Sequence, residues 1–448
     1  MRASWVAGAA VALSLAANAA VADEAQPLKT LSECVAIAER EHPSLKAASA
    51  SVQAGHQRVL EAVANYLPTL GGTYTADRRN TNTAARLGIP VSVVATPVPN
   101  ATPGPSASNS QTFNFSTASI TFTQLLFDFG QTLNSIRSAQ AAQRSLEADL
   151  STQVDTVVLN VKQAYFNVLA TRRLLGVADE TVRQNQKHLD LAQARYQVGL
   201  AAKFDVTQAQ VQVANAELNQ VTARNNVAVA HETLRNALGL TGPLDFDIVD
   251  NFDVHSVQIT EEEALAGAYD RRPELQSIRA QERSTAEQIA SLRKNYLPNV
   301  SGKGTYQWTG DDYPQQSNWD VGAVLNVPIF TGGLTTAQVA EQEANLSNLK
   351  FNEEVERQNI ALEVRQDVLN LQQAAESIRV SETGLREARE NLELAEGRYK
   401  TGVGNIIELT DAQASLTTAE ANYVQALYGY KTTVAALEKA TAKQLASD

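Results

Sequence analysis

The chain has 448 residues, of which 37 are Lys or Arg and 49 are Asp or Glu, so its formal net charge is −12. Without a run of basic residues this acidic balance excludes nucleic acid as a partner, because phosphate binding needs clustered Lys and Arg. The single cysteine, Cys34, cannot form an internal disulfide. Because the polar Glu33 directly precedes it, where a lipid-attachment site needs a small residue, we expect a buried structural thiol.

The first 22 residues have the order of an export signal. Arg2 is followed by an apolar stretch over 5–15, and the small residues Ala20 and Ala22 form a small-x-small cleavage site. We therefore expect residues 1–22 to be removed and the mature chain to leave the cytoplasm. No later segment is apolar over the length of about 20 residues that a membrane-spanning helix needs, so the sequence predicts none.

The remaining chain contains two copies of one unit. The tetrapeptide Asn-Tyr-Leu-Pro occupies 65–68 and again 295–298, an offset of 230 residues (295 − 65). A pentapeptide that begins Arg-Tyr and ends in Gly occupies 195–199 and again 398–402, an offset of 203 residues (398 − 195). Several paired motifs in a fixed order indicate a duplication with a long period.

The duplication predicts two structural repeats, at 23–259 and 260–448. Because the two offsets differ, the first copy carries an insertion, which falls in the Pro- and Ser-rich stretch 80–111. Such a composition cannot bury a core and indicates an extended surface loop, which would face the cell exterior if the strands that flank it belong to a membrane barrel. Each repeat then has the same order: a helical segment that ends at Pro68 or Pro298, two strands, a very long helix and a shorter helix.

Long proline-free helices are the strongest structural signal. The long helices are predicted at 131–198 and 333–399, the shorter ones at 205–238 and 406–439, and the opening helical segments at 28–66 and 260–296. From Leu146 to Val168 apolar residues recur every three or four positions, which makes one stripe on a helix. A helix of this length spans roughly 100 Å at about 1.5 Å per residue and needs partner helices, which predicts coiled-coil packing. Gly199 in the first repeat, and Gly402 with Gly404 in the second, are predicted to form the tip turns at which the chain reverses.

Alternating polar and apolar residues predict four strands. They are placed near 69–78, 112–124, 299–308 and 319–328. In the third, Val300, Tyr306 and Trp308 share one face, whereas Lys303 and Gln307 share the other. Strands of about ten residues with one apolar face are typical of transmembrane barrels. Four strands cannot close a barrel, and an open edge in lipid leaves backbone groups unpaired, so several chains must combine their strands.

This duplicated order resembles the TolC family of outer-membrane channels over nearly the whole mature chain. The Asn-Tyr-Leu-Pro motifs at both helix-to-strand passages and the turn sequences at 195–209 and 399–412 carry the resemblance. It implies a mainly α-helical protein with membrane β-strands, in which a homotrimer forms a twelve-stranded β-barrel, four strands per chain, continued by a long periplasmic α-helical barrel. It also implies an equatorial belt near 239–257 and at the C-terminus.

The resemblance implies a function as well. A chain of this family lies in outer-membrane lipid, extends into the periplasm, and forms a passive export duct for multidrug efflux or type I protein secretion. Its partners are a periplasmic adaptor and an inner-membrane transporter. No cofactor is implied, and the five histidines have no metal-ligand spacing, so an enzyme is not expected. A pore-less structural coiled-coil protein of the periplasm or cell surface is the alternative.

Individual residues take roles from the same resemblance. Glu408 and Asp411 match two acidic residues that form rings at the closed periplasmic entrance, and their spacing places both on one helix face. Three copies of each around an axis would favour cations. Asp205 and Tyr399 match positions that tie neighbouring coils together in the closed state. Gly404 stands where the family's best-known member has an arginine of this latch, so the latch is expected to be weaker or built differently.

Overall fold

A computed structural model describes residues 27–82, 110–250, 257–310 and 316–443. The predicted signal peptide at 1–22 lies outside these residues. So do most of the predicted loop at 80–111 and, from the predicted belt, residues 251–256 and 444–448.

The chain folds as two successive repeats of helices and strands. The first has strand β1 (Leu28–Lys29), helices α1 (Leu31–Glu41) and α2 (Pro43–Ala64), strands β2 (Thr69–Asn82) and β3 (Ser110–Phe127), helices α3 (Gln131–Gln197) and α4 (Lys203–Ala237), and strand β4 (Asp247–Ile248). The second has helices α5 (Glu261–Arg271) and α6 (Pro273–Arg293), a 3-10 turn (Lys294–Tyr296), strands β5 (Asn299–Gly310) and β6 (Gln316–Asn326), and helices α7 (Leu334–Thr401) and α8 (Ile406–Thr441). The long helices α3 and α7 therefore occupy the same place in each repeat.

Each opening helical segment is divided in two, so the prediction of single helices at 28–66 and 260–296 was wrong on this point. Pro43 is the first residue of α2, and Pro273 is the first residue of α6. Proline suits the first helical position because the N–H that it lacks would be unpaired there, whereas inside a helix it removes a bond and clashes with the preceding turn. The same residue that begins the second helix therefore ends the first.

Both repeats begin with the same capping box. The Thr30 hydroxyl accepts from the N–H of Glu33, and the Glu33 carboxylate accepts from the N–H of Thr30. Thr260 and Glu263 exchange the same two bonds at the start of α5. These reciprocal bonds pair two helix-terminal N–H groups, which fixes where each repeat enters its first helix.

The four long strands form one antiparallel sheet in the order β2-β3-β5-β6. Thr69 pairs with Thr123 at one end of the β2–β3 ladder, and Asn82 pairs with Ser110 at the other. The two strands therefore extend into the stretch 80–111 that was predicted as loop. Strands β2 and β6 lie at the two edges of the sheet.

Strand β6 begins and ends earlier than the predicted 319–328. Gln316 pairs with Thr309 of β5 and opens the ladder, and Asn326 pairs with Asn299 and closes it. Pro328 has no N–H to donate to a ladder, so the strand ends before it.

The main core lies where α1, α3 and α4 pack together, beside the short parallel pair of β1 and β4. Cys34 is fully buried in this core, as predicted, and burial raises the pKa of its thiol to about 11. A second core joins α5, α7 and α8, with Leu275 of α6. Beyond these cores α3 continues as a hairpin with α4, and α7 as a hairpin with α8.

Across the described part of the chain, no helix combines the length and the apolar character needed to cross a membrane.

Candidate gate at the helical tip

Both hairpins reverse at their tips through the same backbone turn. After α3, Gly199 has φ +77°, and the next N–H donates to the carbonyl of Arg195 at 2.8 Å. After α7, Gly402 has φ +80°, and the next N–H donates to the carbonyl of Arg398 at 3.0 Å. A Cβ is unfavourable in this left-handed region, so both predicted tip glycines meet a backbone requirement.

The returning helices begin differently in the two repeats. Ala202 precedes α4 and supplies no side-chain cap, whereas Asn405 precedes α8 and its Oδ1 accepts from the N–H of Glu408 at 2.9 Å. Asp205 and Glu408 occupy equivalent positions in the first turns of these helices (408 − 205 = 203). A carboxylate there complements the positive end of the helix dipole, so each acidic residue has a local structural role as well.

The predicted acidic pair lies on one exposed face of α8. Glu408 and Asp411 point away from Ile406, Leu409 and Ala412, which are buried in the core of the hairpin. The Asp411 carboxylate makes no ion pair with any residue that the structure describes. The pair therefore presents two exposed acidic groups at the tip, as the helix spacing predicted.

Arg398 is a site residue that the sequence reasoning missed. Its Nε donates to Oε2 of Glu408 at 3.2 Å. A Cβ at Gly404 would lie 2.9 Å from Arg398 Cβ and 3.2 Å from Glu408 Oε2, so the glycine makes room for this ion pair. Arg398 therefore brings a positive charge next to position 404, and within a chain it offsets Glu408 but not Asp411.

Tyr399 is buried, with 2% of its surface exposed. The Arg195 guanidinium carbon lies 4.8 Å from the centre of its ring, and Arg195 Nη1 donates to the Tyr399 carbonyl. The Tyr399 hydroxyl has no hydrogen-bond partner in the described part of the chain, so within one chain it is not bonded to Asp205, the other predicted latch residue. Burial is the main cause that raises the pKa of this hydroxyl, and the negative charge of Asp205 raises it further. Arg195 was also missed, although it begins the same Arg-Tyr motif as Arg398.

The predicted passage prolines lie at the opposite end of the helices. Pro68 directly precedes β2, and Pro298 directly precedes β5. Gln124 of β3 donates from Nε2 to the carbonyl of Tyr66 at 2.6 Å, which ties the first passage to the sheet. Both prolines thus stand where the chain changes from helix to strand.

The strand register separates the sheet into an apolar and a polar face. Tyr306 pairs with Ile120 on one side and with Trp319 on the other, so their side chains share a face. The apolar face carries Leu70, Tyr74, Ile120, Phe122, Tyr306, Trp308, Trp319, Val321 and Leu325, and the polar face carries Thr73, Thr75, Ser119, Thr121, Lys303, Thr305, Gln307, Asn318 and Asp320. Trp319 and Val321 are 74% and 78% exposed, so the apolar face is uncovered in one chain.

The described residues include no group of His, Cys, Asp and Glu side chains placed to hold a metal ion together. His188 is buried between helices and His231 is half-buried, and burial is the main cause that lowers the pKa of each. Arg172 lies 2.9 Å from the His231 ring. These two histidines are packing residues of the helical bundle.

Comparison with known proteins identifies the architecture. A family model described as outer membrane efflux protein matches residues 35–240 and 264–443. The chain belongs to the outer membrane efflux protein family. The predicted resemblance to the TolC family is thus confirmed, and with it the location in the outer membrane, the extension into the periplasm and the function of an efflux channel. Nothing favours the pore-less coiled-coil alternative.

Individual relatives agree with this assignment. The chain is 27% identical over 409 residues to outer membrane protein TolC of Escherichia coli strain K12. This alignment covers 87% of the chain and 77% of that protein. It is also 22% identical over 334 residues to outer membrane efflux protein BepC of Brucella suis. This alignment covers 74% of the chain and 73% of BepC. The crystal structure of CusC superposes with a TM-score of 0.78 at 18% identity, over 92% of each chain, and so shows the same fold.

Proposed function

We propose that three copies of the chain combine their sheets into one twelve-stranded barrel in the outer membrane, with the long helices continuing it into the periplasm. Each sheet has two open edges, β2 and β6. Unpaired backbone groups cost several kcal/mol each in lipid, so an edge must be paired, and β6 of one copy can pair with β2 of the next. The observation that carries the proposal is the exposed apolar face of the sheet backed by a polar face, which suits lipid outside and water inside.

The proposed barrel is a passive duct. The chain would dock a periplasmic adaptor and an inner-membrane transporter, which supplies the energy, for multidrug efflux or type I protein secretion. It would perform no catalysis itself. Membership in the efflux family and the likeness to TolC and BepC support this role.

The tip of the helical hairpins would be the periplasmic entrance. Around a threefold axis, Glu408 and Asp411 would form two acidic rings, and the crowded carboxylates would attract cations. Because Arg398 offsets Glu408 within each chain, Asp411 is expected to contribute more of the cation preference. Asp205 and Tyr399 stay predicted latch residues, and the equatorial belt near 239–257 and at the C-terminus stays a prediction.

Planar-bilayer recording of the full-length protein, purified in detergent, tests the duct and its rings. We expect a small, cation-preferring conductance from the wild type. Replacing both ring residues, Glu408→Gln with Asp411→Asn, should raise the conductance and lower the cation preference, because the repelling charges at the constriction are removed.

A control variant removes the same charge away from the tip. Glu217→Gln with Glu354→Gln alters exposed positions of α4 and α7 far from the tip turns and should leave both properties near the wild-type values. If folded wild-type trimer shows no conductance, the duct is wrong. If the ring variant keeps the full cation preference, the duct stands and the acidic rings are wrong.

A further inference from the structure

The two hairpins of one chain are separate apolar units at the tip. One cluster lies within the α3–α4 hairpin and consists of Leu189, Ala192, Ala209 and Val213. The other lies within the α7–α8 hairpin and consists of Leu392, Ala395, Tyr399, Ile406, Leu409 and Ala412. From α3, the partly buried Leu191 packs against this second cluster. Each hairpin therefore has its own apolar core at the tip, and Leu191 adds an apolar contact between the two.

Arg195 is the side chain that joins the two hairpins at their very ends. It leaves the last turn of α3 and lies on the last turn of α7, where Nη1 donates to the carbonyl of Tyr399 and also lies 3.4 Å from that of Lys400. Its guanidinium carbon lies 4.8 Å from the centre of the Tyr399 ring. One cation thus meets both the negative end of the α7 dipole and an aromatic face.

The equivalent residue in the second repeat makes a different contact. Arg398 donates to Glu408 of its own hairpin, and among the described residues it makes no hydrogen bond or ion pair to the other hairpin. The tyrosines that follow the two arginines differ in the same way, since Tyr196 is 47% exposed whereas Tyr399 is buried. Of the two equivalent arginines, only Arg195 therefore bridges the hairpins. If the turn sequence merely required an arginine at this position, both arginines would make the same contact.

We propose that Arg195 is the clamp that holds the two hairpins of each chain together in the closed entrance. This inference rests on the proposed function, because it assigns a residue to the gate of the duct. Arg195 acts by positioning α7, and its planar guanidinium provides both the stacking surface and the donors. In this chain the clamp therefore comes from the first hairpin and acts on the second.

The junction around Arg195 is also built to open. Within the described residues, Arg195 Nε and Tyr399 Oη are both buried without a hydrogen-bond partner, and both lie where the end of α3 meets the end of α7. Separation of the hairpins would let water bond these atoms, which lowers the cost of breaking the clamp. A charged contact surrounded by unpaired polar atoms suits a gate better than a permanent joint.

Single-channel recording of three variants of the full-length trimer tests the clamp. Arg195→Ala removes the stacking and the donors, and Arg195→Lys keeps only the charge. Arg183→Ala, the control, removes an arginine of the same helix that pairs with Glu180 one turn away. We expect Arg195→Ala to raise the open-to-closed ratio about five- to thirty-fold, Arg195→Lys to raise it less, and the control to leave it unchanged.

Assembly is checked on the same samples by measuring the temperature at which the trimer dissociates in detergent. If Arg195→Ala does not assemble, Arg195→Lys decides the outcome. An open-to-closed ratio equal to that of the wild type in an assembled Arg195 variant would overturn the clamp while the channel itself stands. An equal rise in Arg183→Ala would overturn it too. A folded wild-type trimer that shows no conductance would overturn the clamp and the proposed function together.

Discussion

At the scale of single residues, the duplication makes matched experiments possible within one chain. Gly239 follows α4 and Ala442 follows α8 at equivalent positions (442 − 239 = 203), with φ +72° and φ +48°. A Cβ at Gly239 would lie 2.7 Å from the Cα of His42 and 2.8 Å from the Cδ of Pro43. The same left-handed cap is therefore free of strain in the first repeat and strained in the second.

The two caps predict opposite effects of exchanging glycine and alanine. Ala442→Gly should stabilise the protein by about 0.5–1 kcal/mol, because relief of the left-handed strain exceeds the added chain entropy. Gly239→Ala should destabilise it by more than about 1 kcal/mol, because it adds both strain and a backbone clash. Thermal unfolding of the two variants, followed by circular dichroism, measures both changes. A shift of the same sign in both would contradict this account.

At the scale of elements, the contact between α3 and α8 near the tip contains a buried histidine. His188 is 6% exposed and faces Gln413 of α8. Burial is the largest cause that lowers the pKa of His188 below 6.5, and the positive charges of Lys400 and Lys187 lower it further. The negative charge of Glu396 and a hydrogen bond with Gln413 act in the opposite direction and raise it. Protonation therefore costs the folded state more than the unfolded state.

This packing predicts a loss of stability in acid. Below 6.5 the unfolded chain takes up the proton and the folded chain resists it, so stability falls as the pH drops from 6.5 towards the lowered pKa. His188→Gln should reduce the fall in melting temperature between about pH 7.5 and about pH 5.5. The exposed His56→Gln on α2 serves as the control and should keep the wild-type dependence. Equal slopes in wild type and His188→Gln would exclude this residue as the cause.

At the scale of the whole molecule, the sheet decides how the chain meets its surroundings. Neighbouring residues of β6 lie on opposite faces, so Val321 belongs to the apolar face and Asp320 to the polar one. In the proposed trimer these faces contact lipid and water, respectively. Adjacent substitutions should therefore have very different consequences.

Val321→Arg is expected to block assembly in the membrane. An arginine on the lipid face costs about 2–4 kcal/mol near the middle of the bilayer, and three copies carry the change. Asp320→Arg, one residue away, adds the same side chain to the polar face and should still assemble. Heat-modifiable gel mobility of the outer-membrane fraction distinguishes the two, and equal yields of trimer would contradict the assignment of the faces.

Much of this architecture follows from local sequence patterns. Period-2 alternation around Tyr306 predicted the strand, and the glycines at 199 and 402 predicted the tip turns. The same local view missed the breaks at Pro43 and Pro273, because an apolar stripe can continue across a proline that starts a new helix. It also missed Arg195, whose bonding partners lie more than two hundred residues further along the chain.

The sequence by itself determined the repeat, the order of its elements and the faces of its strands. These depend on periodicity, on backbone conformation and on residues a few positions apart. Only the tertiary structure decided which copy of a duplicated residue does what. Tyr196 and Tyr399 stand in the same motif, yet one is exposed and the other buried beneath Arg195. The reason is that the two hairpins pack side by side, so residues with the same neighbours in the chain have different neighbours in space.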